Sequence, residues 1–445
     1  MTPSRAPSFL SVPSILRPAA ALDQTPDLPV APKRPDGPAR VLFVTACTGK
    51  GGAGNSLALL LRFLDRARIE PVVVMPNEGI IGPKLRRMGI PVVLAPRLRE
   101  RTWELRFAEN TLLTRAASYG LNLFDSVAFT FQLAALARRL DCDLIYANHM
   151  MVKIMTVVAG ALAGRPVVLH TRTIYANALE RWLYTGFAAL PHVERIVAVS
   201  DASAANFRAL AGKVRVVHNG VPLDELPGPD AAGRLRNELG IPASAKVVGF
   251  VGRLVKWKGI DVFLEAATRL AAADPSLRFV VVGDAPVGSA GSGLGGFAED
   301  ARARGLAGRV AFTGFRADAA ACVLDFDVLV VPSVRPDPCP RVVLEAMTIG
   351  VPVVGSASGG IAETVQDGVT GLLAVPGDAA DVAAKVGRIL ADDALAEALG
   401  RAAQALAARD YDARVVAARI QEVVLEALTE SRPAPPRACA PGPSL

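Results

Sequence analysis

The chain has 445 residues, room for two or three domains, with 51% hydrophobic and 20% charged residues and a formal net charge of +7. No uninterrupted apolar run reaches the roughly 18 residues of a spanning helix; Met150 to Leu169 comes nearest and is broken by Lys153, Gly160, Gly164, Arg165 and Pro166. Arginines are spread along the chain without a basic block, which argues against a nucleic-acid partner. Five scattered cysteines without a C-x-x-C and four histidines argue for a reducing compartment and against a disulfide framework, a zinc site or a histidine metal cluster.

Residues 1–39 are rich in Pro, Ala and Ser without a sustained period and read as a disordered tail, as do residues 431–445. Ser8–Leu16 is too short, and too interrupted by Pro13, for a secretory signal. Structure starts at the buried strand Arg40–Val44, followed by TACTGKGGAGNS and the apolar helix LALLLRFL. Strand, Gly-rich turn and helix open a nucleotide-binding fold. Three readings of that turn compete. K-G-G-x-G resembles the start of a P-loop, but Asn55 stands where the lysine after Gly54 is expected. A dinucleotide fingerprint lacks its full G-x-G-x-x-G. In the third, Gly51 and Gly52 let the backbone approach a ligand closely, since a side chain would block the approach.

The alternation continues with strands at Pro71–Met75 and Pro91–Leu94 around a helix at Pro83–Met88. Arg97–Phe107 (RLRERTWELRF) interleaves cations with Trp103, Leu105 and Phe107; a membrane-surface segment, an acceptor-groove lining and a solvated helix face all fit it. A long helix to about Leu140 precedes the strand Asp143–Tyr146, which ends in Asn148-His149. The strand Pro166–Leu169 ends in His170-Thr171-Arg172, and Ile196–Val199 in the helix cap Ser200-Asp201. Val214–Val217 leads to His218-Asn219-Gly220-Val221.

The pattern then restarts. Val247–Val251 is a strand ending in Gly252-Arg253-Leu254, with Lys258-Gly259 three residues on. Arg278–Val282 ends in Gly283-Asp284, and Arg309–Thr313 in Gly314; Gly288–Gly296 reads as a flexible loop. Val328–Val331 runs into an irregular loop, Pro340 and the helix RVVLEAMTIG, then the strand Val351–Val354 and the turn Ser358-Gly359-Gly360. This layout fixes Asp337 in the loop and Glu345 in the helix, both at the carboxyl edge of a parallel sheet, where open α/β sheets bind ligands. The N–H groups of Arg341, Val342 and Val343 would be unpaired at the helix start and suit a phosphate. By itself, an acid near a helix start is more often a surface charge complementing the dipole.

Taken whole, Val328–Gly371 resembles the donor-site signature of retaining nucleotide-sugar glycosyltransferases of family four (glycosyl transferases group 1). Glu345-Ala346-Met347 matches its second half, Arg253 and Lys258-Gly259 match the family's other donor motif, and Asn219-Gly220-Val221 is similar to the exit from its first domain. The resemblance covers roughly Val41 to Leu428. It implies an α/β fold of the GT-B type: two Rossmann-like domains facing across a cleft, acceptor-binding over 40–222 and donor-binding over 223–410, with a crossover helix at 411–430.

The implied reaction moves a sugar from a nucleoside diphosphate sugar, with retention, using no metal and no cofactor beyond that donor. Arg253, Lys258 and the helix start at Arg341–Val343 would neutralise the diphosphate, with Gly283 at the neighbouring strand end. Glu345 would accept from ribose hydroxyls and Asp337 from the transferred sugar, while Gly359 and Gly360 let the backbone close on the donor. Gly51, Gly52 and Asn55 would face the acceptor.

Two departures stand out. Asp337 is a methylene shorter than the family's Glu. Arg172 occupies the place where many members have a His, and an always-charged guanidinium cannot be a general base. His149 and His170 are the alternatives, either as chemical groups or as structural strand-end histidines. The competing reading is a degenerate, non-catalytic nucleotide-sugar-binding scaffold. The resemblance further implies a glycan or lipid-linked acceptor in cell-surface polysaccharide or glycolipid synthesis, and a cytoplasmic protein peripheral to the inner membrane face.

Overall fold

The structure is a computed structural model that describes residues 36–47, 52–95, 112–149, 152–285 and 294–431. Among these, seven strands form a first sheet: β1 (Ala39–Val44), β2 (Ile69–Met75), β3 (Val92–Leu94), β4 (Leu144–Ala147), β5 (Val167–Thr171), β6 (Val193–Ala198) and β7 (Val214–Val216). Six form a second: β8 (Val247–Val251), β9 (Arg278–Val282), β10 (Val310–Gly314), β11 (Val328–Val331), β12 (Val353–Ser356) and β13 (Leu372–Ala374). The spatial orders are 3-2-1-4-5-6-7 and 10-9-8-11-12-13, and the strand pairings are parallel. The inner strands are short Val-rich runs buried on both faces, as parallel strands covered by helices must be, whereas the edge strands β7 and β10 are only partly buried.

Each sheet is thus a Rossmann-like unit with one reversal of strand order, between β1 and β4 in the first and between β8 and β11 in the second. Ligands of open parallel sheets bind beyond the strand ends at such reversals. The loops leaving β1, β4, β8 and β11 are therefore those expected to build the site.

The last helix, Ala413–Glu430, returns to the first half. Its Val416, Ala417, Ile420, Val423 and Val424 share a core with Val41, Phe43, Leu57 and Leu61. The two chain crossings run side by side: Val221 N–H donates to the Tyr411 carbonyl, and Ala413 N–H to the Val221 carbonyl, each at 2.9 Å. A second tie between halves is Glu363, whose carboxylate accepts from the N–H groups of Asp201 (2.7 Å) and Ala202 (2.8 Å) and from His218 Nε2 (3.3 Å).

Several expectations shift. Strand β5 runs on through His170 and Thr171 rather than stopping at Leu169, and β12 starts two residues later than Val351. The apolar stretch after Met150 holds the helix Lys153–Ala163. By length and composition Gly120–Arg139 could cross a bilayer, but in this fold Phe129, Leu133, Ala134 and Ala137 are core residues of the first half. The expected Gly-rich loop ends early, because a helix begins at Leu294; the rest of that loop, the two tails up to residue 35 and from 432, and Arg97–Phe107 lie outside the described residues.

Candidate functional site

The loops leaving β1, β4 and β5 in the first half and β8 and β11 in the second enclose a cavity of about 340 Å³. Its second-half wall carries Arg253, Trp257, Lys258, Asp337 and Arg341; its first-half wall carries Gly52, Ser56, His149, Arg172 and Thr173. Residues up to about 290 positions apart meet here because both order reversals point into the same cleft.

On the second-half wall, Lys258 Nζ donates to the Asp337 carboxylate, and the pair is nearly buried. Two contacts place it. Gly259, at φ +78°, abuts the Pro332 carbonyl so closely that a Cβ would come within 1.8 Å of that oxygen. Val334 N–H donates to the Trp257 carbonyl at 2.9 Å. The Lys258 ammonium lies 4.6 Å and the Arg253 guanidinium 5.8 Å from the Trp257 ring centroid, so one indole organises both cations.

Gly359 and Gly360 buttress the same loop. Gly359 has φ +59° and a Cβ there would sit 2.5 Å from the Asp337 carbonyl; at Gly360 it would sit 1.9 Å from the Pro338 carbonyl. Gly360 N–H donates to Asp337 O at 2.7 Å. Their glycine character is thus required by the packing of the acid loop itself. Gly283, at φ +142°, is likewise pressed against the Gly252 carbonyl.

The helix Arg341–Ile349 starts one residue later than Pro340, which takes an extended conformation as its cap. The anion-binding trio expected there is corrected: Val343 N–H donates to the Pro340 carbonyl at 3.1 Å, tightening the first turn and removing that donor. Arg341 lines the cavity and pairs with Glu345 one turn on at 3.2 Å, while the partly buried Glu345 is not itself among the residues that line it.

The first-half wall sorts the basic candidates. Arg172 and His149 line the cavity, whereas His170 is buried behind Arg172 at 1% exposure. Arg172 Nη1 donates to Asn219 Oδ1 at 2.5 Å, and Asn219 Nδ2 donates to the Cys339 carbonyl at 2.9 Å, a three-residue bridge between the halves. Arg172 Nη2 lies 3.2 Å and the Tyr146 hydroxyl 2.6 Å from His170 Nδ1. An arginine can only donate, so Nδ1 is an acceptor and the neutral His170 carries its proton on Nε2. Among the described residues, that nitrogen and Arg172 Nε are buried without a hydrogen-bond partner.

Electrostatics follow from burial. Burial, then Lys153 and Arg172, brings His149 down to about 4, so it faces the cavity as a neutral, weakly basic imidazole at pH 7. Burial, Arg172 and Lys153 hold His170 well below the ordinary imidazole range. Burial lowers Arg172 to about 10, which leaves it charged. Lys153, buried with its Nζ 3.3 Å from the Tyr175 hydroxyl, is brought down to about 7 by burial and then Arg172.

In the first loop, Gly51 lies outside the described residues and Gly52 opens the helix Gly52–Phe63. Nothing stands within 4 Å of a Cβ built on Gly52, so it leaves open space at the cavity wall. Asn55 is corrected: it falls inside the helix rather than in the loop, and Ser56 lines the cavity in its place. Trp257, Asn219 and Thr173 were not assigned roles from sequence. Trp257 stood in view between two cations, while the contacts of Asn219 and Thr173 depend on chain crossings no local pattern encodes.

A second cavity of about 310 Å³ adjoins the first through Arg253, at the ends of β8, β9 and β10, and is lined by Gly252, Gly283, Asp284 and the half-exposed Phe315.

Comparison with known proteins bears on this geometry. A family profile described as Glycosyl transferases group 1 matches residues 232–406, and one described as Glycosyltransferase Family 4 matches residues 50–225. A 2-deoxystreptamine glucosyltransferase of Streptomyces kanamyceticus is 32% identical over 62% of this chain and 75% of its own length. A D-inositol 3-phosphate glycosyltransferase of Thermobispora bispora is 32% identical over 64% of this chain and 71% of its own length. That of Corynebacterium jeikeium is 36% identical over 44% of this chain, and the match spans 48% of it. Among solved structures, Anabaena HepE in complex with UDP-glucose superposes with a TM-score of 0.72 at 26% identity, covering 87% of this chain and 99% of that one.

Proposed function

Since the chain belongs to the group 1 glycosyltransferases and has their two-domain GT-B fold, we propose a retaining, metal-independent hexosyltransferase. In this reading it moves a sugar from a nucleoside diphosphate sugar to a glycan or lipid-linked acceptor of cell-surface polysaccharide or glycolipid synthesis. The observation that carries it is the convergence of Arg253, Lys258 and Arg341 on one cavity facing Arg172 and His149. Negative charge grows on the departing diphosphate as the bond to the anomeric carbon breaks, and fixed cations and helix N–H groups stabilise it there. UDP sugars are the leading donors, since HepE, the neighbour of similar fold, holds UDP-glucose. The base would occupy the adjoining pocket beside Phe315, which meets the diphosphate site at Arg253.

Retention is supported by the acid inventory. Asp337 is the only acid among the described residues lining the cavity, and it is tied to Lys258. A carboxylate nucleophile on the opposite face of the sugar is not at hand, and His149 is too weak a base to take the acceptor proton fully at pH 7. The acceptor oxygen would attack from the side the diphosphate leaves, passing its proton to a diphosphate oxygen. Asp337 would accept from hydroxyls of the transferred sugar, Glu345 from the ribose, and Arg172 would orient the donor. No resident cofactor enters this scheme.

The same reading puts the protein in the cytoplasm, peripheral to the inner membrane. Phe124, Val127 and Phe131 form an exposed stripe on the helix Leu112–Arg139, which ends in Arg138 and Arg139, and the chain is net basic.

A thermal-shift screen of nucleoside diphosphate sugars, with Arg253→Ala/Lys258→Ala in parallel, tests the donor site. A donor that stabilises the wild type and not the variant is expected; a panel with no binder would overturn the reading.

A further inference from the structure

A second groove, of about 740 Å³, lies on the first half between the helix Ala178–Ala188 and the turns of Ala205–Lys213. It neighbours the cleft along two chain segments. Thr173 and Val199 line the cleft, and Ile174, Tyr175 and Ala202 line the groove. The connection is braced: Asn206 Nδ2 donates to the Thr173 carbonyl at 2.8 Å and Asn206 Oδ1 accepts from Tyr175 N–H at 3.1 Å. Tyr175 in turn stacks on Tyr184 with ring centroids 4.8 Å apart. The volume falls in the range of about 300–1,000 Å³ typical of ligand sites.

The walls are unlike a surface that merely covers a core. Of the helix Ala178–Ala188, only Ala188 is buried, and Trp182 stands 72% exposed at the groove edge. Arg181 and Arg208 line it from different elements. Neither guanidinium makes a hydrogen bond or ion pair with any described residue, Glu180 beside Arg181 included. An exposed indole offers a flat apolar face, and two unpaired guanidinium forks offer bidentate sites for oxyanions.

We propose that this groove extends the acceptor site and holds an acidic oligosaccharide, with a sugar ring against Trp182 and its acidic groups on Arg181 and Arg208. The proposal rests on the transferase reading, since it is the cleft that gives the groove its meaning. The concave shape, the polar Asn206 and Thr185 in its lining and the nearness of the cleft favour a glycan over a bilayer, which would need a convex apolar face.

The test is titration of the full-length protein with a hyaluronan tetrasaccharide, neutral maltotetraose and phosphatidylglycerol vesicles, using wild type, Arg181→Ala/Arg208→Ala and Trp182→Ala. These positions are exposed, and melting curves confirm that the variants fold. The acidic tetrasaccharide should bind wild type and lose about 100-fold in affinity in the double arginine variant, as expected for losing two charged contacts, and about tenfold in Trp182→Ala, for one lost ring contact; maltotetraose should bind more weakly than the acidic sugar. Equal binding of the two sugars, or no binding of the acidic one, overturns the proposal. Variants that lose only vesicle binding also overturn it and assign the face to a membrane. UDP titrated alongside separates the two levels: wild type that binds UDP but no acidic sugar sinks this inference alone, and wild type that binds neither UDP nor any UDP sugar sinks the transferase reading beneath it.

Discussion

Lys258 and Asp337, 79 positions apart, meet as an ion pair whose side chains are 17% and 6% exposed at the floor of the cleft. Removing one partner leaves the other charge buried and unpaired, which costs about 3 kcal/mol or more. Lys258→Ala and Asp337→Ala should each lower stability by that order, and the double variant by clearly less than their sum. Additive losses in chemical denaturation would show that the pair is not coupled.

Gly259 and Gly314 separate backbone strain from packing. Both have positive φ, +78° and +72°, but a Cβ at Gly259 meets the Pro332 carbonyl at 1.8 Å while nothing lies within 4 Å at Gly314. Gly314→Ala should cost about 1–2 kcal/mol from the left-handed conformation alone. Gly259→Ala should cost more and also weaken UDP binding, because the loop carrying Asp337 must move. Equal melting-temperature losses for the two would contradict the packing argument.

The basic groups in and behind the cleft wall predict a pH profile. His149, brought to about 4, and His170, lower than ordinary, are neutral in the fold, whereas the unfolded chain protonates its histidines below about pH 6.5. Stability should therefore fall as pH drops from about 6.5 towards 4, by up to about 1.4 kcal/mol per pH unit for each group. Lys153 acts at the alkaline end: with its value at about 7 against an ordinary 10.5, its term rises with pH between those limits and is flat below. Urea melts at stepped pH, with His170→Gln flattening the acid limb and Lys153→Met the alkaline one, check both signs.

Glu363 ties the second half to the first through two backbone N–H groups at the start of the helix Asp201–Ala204. A charged acceptor at a helix start is stabilising by about 1.5–3 kcal/mol per hydrogen bond. Glu363→Ala should speed amide exchange at Asp201 and Ala202, with a smaller effect for Glu363→Gln. Unchanged exchange in both would show that other contacts hold the halves together.

Much of this fold was legible in the sequence wherever an apolar run was closed at both ends. Val247–Val251, Arg278–Val282 and Val328–Val331 lie where their β-branched residues placed them. Strand β5 was cut short because His170 and Thr171 look like loop residues, although both are buried in the sheet. The helix Lys153–Ala163 is apolar nearly all round, so it has no 3.6-residue stripe to announce it. Ala178–Ala188 escaped for the opposite reason, since its large apolar residues Leu179 and Trp182 face outward. Within the site, Arg253, Lys258 and Asp337 were readable because they sit after strand-like runs in strings that resemble the family's donor motifs, whereas of Arg341 only the backbone N–H was assigned. The bridge from Arg172 through Asn219 to Cys339 was not, since it exists only once both halves close.

The central claim is tested most directly by turnover. Each UDP sugar of a panel is incubated with wild type and with Lys258→Ala, and UDP release and the anomer first formed are followed by NMR. The account predicts UDP release by wild type from at least one donor, a rate lower by about 100-fold in the variant, and a product with the donor's anomeric configuration. No release above the spontaneous rate from any donor, or release equally fast without Lys258, would contradict it.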